Sequence, residues 1–335
     1  MKPLIECIPT SSEGRNREAI DAIVAAHASV PGIRILGVEP GAAANRTVVT
    51  FAGEPDAVVE SAFRGAAKAQ ELIDMRTQHG THPRNGATDV LPLVPVEGIS
   101  LQDCADRARS LAKRLYTELG IPCYCYEAAA LRPEHRNLAD CRAGEYEALP
   151  EKFCDPVRRP DFAGAWDERA QRSGATQVGA RNFLIAVNFN LDTDSVPLAG
   201  AIAADVRESG RRGPDGTRIP GPLKGCKAIG WYIEEYGIAQ VSMNITDIDA
   251  TPLHLAYETV CRAAGARGCR VTGTELIGLV PERVLLEAGA HFSGSDKEKE
   301  EMIRAAVRSL HLDDLRPFDP QQKILENRLA SPESC

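Results

Sequence analysis

The sequence contains no apolar run near the roughly 18 residues that a membrane-spanning helix needs. Residues 1–14 carry Glu6 and Glu13 and no long apolar centre, so they do not read as a secretory leader. A cytoplasmic location without membrane association is the expectation, and there the ten cysteines stay reduced. No CxxC pair occurs among them. Cys123 and Cys125 flank Tyr124 in an apolar run and read as core thiols on one strand face rather than as half of a metal site. An excess of positive charge is also missing. The formal net charge is -8, which is the wrong footprint for a nucleic-acid backbone. Small anionic substrates stay open, because a few arginines in one cleft dominate the local field. There is no G-x-G-x-x-G after a strand, no P-loop lysine motif and no G-x-S-x-G elbow. Dinucleotide binding, P-loop chemistry and a serine hydrolase of that type are set aside accordingly.

What is present is an ordinary globular composition, 43% hydrophobic and 26% charged, over 335 residues. That length suggests about two domains. In the first half, residues 4–9 fit a strand and 16–30 a helix with Ala19, Ile20, Ile23 and Val24 on one face. His27 continues that face as a core histidine. Residues 33–38 and 47–52 read as strands, followed by a helix that starts near Pro55 and ends near Asp74. Residues 89–96 are a strand. Ser100 and Asp103 form a capping pair for the next helix, and 122–127 are another strand. Residues 132–179 are charged, proline-rich and weakly periodic, and read as a connection between domains that crosses near the site.

The second half repeats the order, with strands at 182–191, 226–234, 239–246 and 270–279 and helices at 197–208 and 253–264. The basic stretch 207–224 reads as a hairpin connection. A short helix after Pro281 and a charged helix at 296–310 follow. The expectation is an α+β chain, an α/β sandwich of two ferredoxin-like βαββαβ lobes with mixed and antiparallel sheets and a ligand cleft between them. The boundaries expected are 1–178, 179–325 and a tail at 326–335.

One window concentrates chemistry: Gln78-His-Gly-Thr-His82-Pro-Arg-Asn-Gly-Ala-Thr-Asp89. It sets two histidines, an arginine and an aspartate between a helix and a strand, where catalytic groups gather. Pro83 stiffens His82. His82 is therefore a candidate acid/base, and a loop histidine of purely structural role is the competing reading. A metal site at His79 and His82 lacks further ligands, so none is expected.

This window resembles the Gly-x-His-Pro-Arg-x-Gly-Ala-x-Asp-Val loop of glutamate formimidoyltransferases. The resemblance extends through Asn45-Arg-Thr47, Ile73-Asp-Met75, the eleven residues from Arg142 to Lys152, Gly179-Ala-Arg181, Gly230-Trp-Tyr232, Ala239-Gln-Val-Ser242 with Asn244, and Gly278-Leu-Val-Pro281. It implies transfer of a formimino group from N-formimino-L-glutamate to N5 of tetrahydrofolate, a step of histidine degradation and one-carbon metabolism. His82 is then the acid/base, with Glu39 as the candidate to orient it. Tetrahydrofolate enters as co-substrate, without a metal. Arg46, Arg84 and Arg181 are candidate carboxylate clamps, and Asn45, Thr47, Gly86, Asp89, Ala163, Gly164 and Gly174 are further candidates for substrate or folate contact. The resemblance also implies a homodimer, and a cyclodeaminase carried on a separate protein.

Departures from the family pattern are Pro9-Thr-Ser-Ser-Glu-Gly14, where an amide and an aromatic are usual, Glu39 for Asp, Thr81 for Glu and Asn85 for Met. The segment around Ala163 to Gly174 also differs. Formyl transfer from N-formylglutamate and a non-catalytic folate-binding role are the two alternatives carried forward.

Overall fold

The computed structural model describes residues 2–331, and within it the chain divides into two compact units, Met1–Asn182 and Phe183–Cys335. The first unit opens with β1 (Leu4–Cys7), β2 (Thr10–Ser11), α1 (Arg17–Ala28), β3 (Arg34–Gly41), β4 (Arg46–Gly53), α2 (Pro55–Leu72), β5 (Thr88–Glu97), α3 (Leu101–Leu119) and β6 (Cys123–Glu127). It closes with α4 (Leu138–Arg142), α5 (Leu149–Cys154), α6 (Glu168–Ser173) and β7 (Thr176–Ala180).

Local chemistry explains these limits. The Asn16 side chain accepts from the Ala19 amide at the start of α1. Pro55 stands in the first turn of α2, where its missing amide costs nothing. Ser100 and Asp103 make the expected reciprocal capping box on α3, which ends on Gly120 in the left-handed region. Apolar residues every three or four positions along α2 and α3 cover one face of the sheet, meeting Ile5, Phe51, Leu91, Leu93 and Val178.

The sheet of this unit is mixed. β1 and β2 lie in one line between β4 and β5, antiparallel to both, and β3 pairs outside β4. Beyond β5 come β7 and then β6, both joined in parallel. Here the structure corrects the sequence reading. Residues 132–179 do not form an inter-domain connection. They supply three short helices and β7, which inserts between β5 and β6, so the boundary expected at residue 178 falls inside a strand. The strand Thr176–Ala180 is buried at every position, because parallel strands are covered on both faces. It therefore shows no polar–apolar alternation, and it includes a fully buried glutamine, Gln177.

The second unit runs β8 (Ile185–Leu191), α7 (Val196–Val206), β9 (Arg211–Arg212), β10 (Arg218–Ile219), β11 (Cys226–Ile233), β12 (Ile238–Ile245), α8 (Leu253–Gly265) and β13 (Val271–Ile277). Helices α9 (Glu282–Ser293), α10 (Lys299–Ser309), α11 (Pro320–Lys323) and α12 (Leu325–Ala330) complete it. The sheet order is β11, β12, β8, β13, antiparallel throughout. Every second residue of β8 and β12, namely Ile185, Val187, Phe189 and Leu191 with Ala239, Val241, Met243 and Ile245, enters one core with α7 and α8. The opposite face is polar. Trp231 Nε1 donates to Gln240 at 2.9 Å, and Gln240 donates to Asn190 at 2.7 Å.

The basic stretch 207–224 folds as the small β9–β10 hairpin. Part of the expected tail is helical: α12 buries Leu325, and Glu326 accepts from the Glu282 amide at 2.8 Å. Residues 332–335 of that expected tail lie outside the described residues. Among the described residues no helix is long and apolar enough to cross a membrane.

Candidate active site

The loop that carries His82 runs from the end of α2 to the start of β5 and is tied down on three sides. Asn45, at φ +48°, accepts from the Gly14 amide at 3.0 Å and donates to the His79 carbonyl at 2.8 Å. Asparagine tolerates that left-handed conformation better than most residues. Gln78 donates back to the Asn45 carbonyl at 2.9 Å. Gly80 is required by space, since a Cβ there would stand 2.1 Å from the Ala44 carbonyl oxygen. At the far end Gly86 bridges Gly174, and the Ser12 hydroxyl donates to the Gly86 carbonyl at 2.7 Å. Gly174 has φ +64°, and a Cβ on it would meet the Asn85 carbonyl at 2.0 Å.

On this frame the His82 ring is half-buried and its hydrogen bonds define its tautomer. Nδ1 lies 2.7 Å from the Pro83 carbonyl oxygen, which only accepts, so Nδ1 carries the proton. Arg46 Nη1, projecting from the first residue of β4, lies 2.7 Å from each ring nitrogen. A guanidinium only donates and so needs an unprotonated ring nitrogen; with the Nδ1 proton directed to the Pro83 carbonyl, that nitrogen is Nε2. Burial, followed by the Arg46 and Arg142 cations, holds the imidazole well below the usual histidine range, while the Pro83 carbonyl opposes that shift. Burial also lowers Arg46, to about 10, so it remains a cation at neutral pH.

Behind the ring stands an ion pair. Asp89, 1% exposed at the start of β5, receives Arg142 Nη2 at 2.6 Å and the Asn85 amide at 2.8 Å. The same Arg142 nitrogen donates to the Pro83 carbonyl. Among the described residues, the buried Arg46 Nε, Arg142 Nε and Asn85 Oδ1 have no hydrogen-bond partner. Such atoms around a reactive ring are positions for a polar ligand or water.

Of the residues named from sequence, the structure thus gathers Arg46 and Asp89 around His82, with Asn45 and Thr47 bracing the loop. Thr47 donates to the Glu13 carbonyl at 2.6 Å. Glu39 lies on β3 opposite Val48, one strand out from Arg46. Arg84 is buried in a fork with Glu147, at 2.8 Å from each amino nitrogen, and also donates to Gln78. The nitrogens that a substrate carboxylate would use are therefore engaged. Ala163, with Tyr146 and Trp166, packs against the cluster that holds Tyr124, Leu149 and Phe153, and Gly164 is exposed beside it. Arg181 follows β7 and aligns with Val94, five strand residues or roughly 17 Å from Asp89. His79 is exposed. A cavity of about 540 Å3, lined by Pro3, Pro55, Gly98, Asp103 and Arg107 among others, does not include His82.

Roles for Arg142, Glu145 and Glu147 were not foreseen from sequence. All three come from the eleven-residue stretch that is the most specific part of the resemblance. Glu145, at φ +57°, accepts from the Arg84 amide, and the Tyr146 amide donates to the Arg84 carbonyl. That stretch is the outer support of the His82 loop, and its specificity was the signal that could have revealed it.

Two α+β units, the first holding a neutral histidine against a half-buried arginine, describe the class structurally. The chain belongs to the formiminotransferase family: its N-terminal subdomain model matches residues 4–181 and the formiminotransferase domain model matches residues 186–330. The chain is 46% identical to the chicken formimidoyltransferase-cyclodeaminase, over 97% of its own length and 60% of that protein. It therefore spans about three fifths of the cyclodeaminase fusions it matches. A glutamate formimidoyltransferase of Streptococcus pyogenes serotype M1 is 39% identical, covering 98% of this chain and 99% of that one. One from Thermoplasma acidophilum is 38% identical, covering 86% and 92%.

Proposed function

We propose that the protein transfers the formimino group of N-formimino-L-glutamate to N5 of tetrahydrofolate and releases glutamate, with His82 as acid and base. The observation that carries this reading is the His82 geometry: Nδ1 stands 2.7 Å from the Pro83 carbonyl oxygen and Nε2 2.7 Å from Arg46 Nη1, an arrangement that fits a proton on Nδ1 and a lone pair on Nε2. The end-to-end similarity to the streptococcal glutamate formimidoyltransferase supports the substrates.

In this reaction N5 attacks the formimino carbon and a tetrahedral intermediate forms. Nε2 takes the proton from N5 and returns it to the glutamate nitrogen, whose bond to carbon then breaks. Without that proton the amine is a poor leaving group, and a positioned acid/base contributes about 10²- to 10⁴-fold. Arg46 covers Nε2. A carboxylate of the anionic donor competes for this guanidinium, uncovers Nε2 and raises its proton affinity at the moment of use. Tetrahydrofolate is a co-substrate, and Glu39 supports the ring from β3. Cytoplasmic placement and a homodimer complete the proposal.

The test is incubation with tetrahydrofolate and either N-formimino- or N-formyl-L-glutamate, reading the folate product by mass. Gain of the formimino group supports the reading. Gain of formyl alone reassigns the donor. Folate binding with neither product makes the protein a binding module.

A further inference from the structure

The Pro83 carbonyl oxygen is shared. It accepts Nδ1–H of His82 at 2.7 Å and also accepts from Arg142 Nη2, which the Asp89 carboxylate holds at 2.6 Å. Asp89 is in turn anchored by the Asn85 amide, two residues beyond Pro83, so the loop and the arginine are bound to one carboxylate. We propose that Arg142 is a positioning residue for the reaction: clamped by Asp89, it fixes the direction of the Pro83 carbonyl, which holds His82 as the Nδ1–H tautomer with Nε2 as the reacting nitrogen. The proposal rests on the functional reading above.

Three features distinguish this arrangement from a general structural ion pair. First, little besides Arg142 fixes the carbonyl: the proline ring locks φ but not ψ, and the Arg84 amide of the same peptide plane donates to Glu145 only at 3.3 Å. Second, Arg142 is itself the last residue of α4, and the Cys141 carbonyl just before it accepts from the buried Lys152 at 2.7 Å. Its approach to Pro83 is therefore set by the fold. Third, the charges near the ring include Arg46 from β4, Arg142 from α4, Asp89 from β5 paired with Arg142, and Glu39 as the proposed support from β3. Removing Arg142 takes away one of the two cations that oppose protonation of His82.

A carbonyl freed of Arg142 would no longer hold its orientation, and the ring would sample the Nε2–H tautomer, in which the reacting nitrogen is already protonated. Partners of a catalytic histidine's far nitrogen act on the tautomer in this way. By analogy with outer partners of metal-bound histidines, their loss costs 10- to 100-fold.

The experiment compares wild type, Arg142→Met and Arg142→Lys. It reads the His82 tautomer by ¹⁵N NMR of imidazole-labelled protein, and kcat, KM and the pH profile of kcat/KM. Wild type should show the Nδ1–H form. Arg142→Met should show mixed tautomers, a kcat lower by about 10- to 100-fold with KM for both substrates within about twofold, and an acid limb moved to higher pH. Arg142→Lys keeps the charge and a donor, and should recover the tautomer and most of kcat. If Arg142→Met does not fold because Asp89 is left buried and unpaired, the Asp89→Asn, Arg142→Met double variant removes both charges, and its tautomer and kcat alone decide. An unchanged Nδ1–H tautomer with an unmoved acid limb overturns the proposal. The tautomer readout needs no turnover, so an inactive wild type that still loses the Nδ1–H form on Arg142→Met sinks the proposed function and leaves the positioning role standing.

Discussion

Arg46 Nη1 lies 2.7 Å from both ring nitrogens of His82, so a half-buried cation covers the nitrogen that the proposed reaction uses as its base. The two residues are 36 positions apart and meet because β4 passes beside the loop that follows α2. The contact makes His82 a poor base until something anionic draws Arg46 away.

The first expectation concerns this cap. Burial is the larger cause of the lowered His82 pKa and Arg46 the next. Arg46→Met should therefore move the His82 midpoint up towards the ordinary histidine value without fully restoring it. An NMR titration of His82 checks this. A midpoint that stays where it is in wild type would show that Arg46 does not set it.

Arg84 should behave as a structural residue. Its guanidinium is shared between Glu147 and Gln78, so Arg84→Ala leaves the Gln78 carbonyl without its donor. The expected loss is about 1–3 kcal/mol in chemical denaturation. Glu147 is 62% exposed at its side chain, so Glu147→Gln should lose only about 0–1 kcal/mol. A normal denaturation midpoint with a raised KM in Arg84→Ala would return this arginine to substrate binding.

His27 predicts an acid-side loss of stability. It is buried against Phe51 and the Ser61 carbonyl, and burial lowers its pKa to about 4. The unfolded chain, with an ordinary histidine near 6.5, binds the proton first as pH falls. The contribution is present above pH 6.5 and is lost as pH falls towards 4, about 3 kcal/mol in all. His27→Met should flatten the pH dependence of unfolding in that window. In the same packing, Gly65 of α2 has no room for a side chain, since a Cβ would stand 1.9 Å from the His27 ring. Gly65→Ala, ordinarily favourable in a helix, should cost about 1–3 kcal/mol here. A more stable Gly65→Ala variant would show that the ring moves aside freely.

The sequence was most readable where burial is one-sided. The alternation Ile185, Val187, Phe189, Leu191 declares a strand with one face in the core, and β8 follows it. The capping pair Ser100 and Asp103 likewise marked the start of α3. β7 gave no such signal because Thr176–Ala180 is covered on both faces and includes the buried Gln177. The His82 loop stood out by its residue types. Its control did not, because Arg46 and Arg142 reach it from 36 and about 60 residues away, through contacts that exist only once the sheet has formed. Arginines read one by one also gave no means of separating Arg46, beside the ring, from Arg84, already forked to Glu147.

The central claim is that His82 moves the proton in formimino transfer, and one comparison tests it most directly. Wild type, His82→Ala and His79→Ala are assayed for kcat and for tetrahydrofolate Kd in one buffer. The account predicts a kcat loss of about 10²- to 10⁴-fold for His82→Ala with Kd little changed, and a near-normal enzyme for the exposed His79→Ala. Loss of activity in His79→Ala with His82→Ala still active would contradict it.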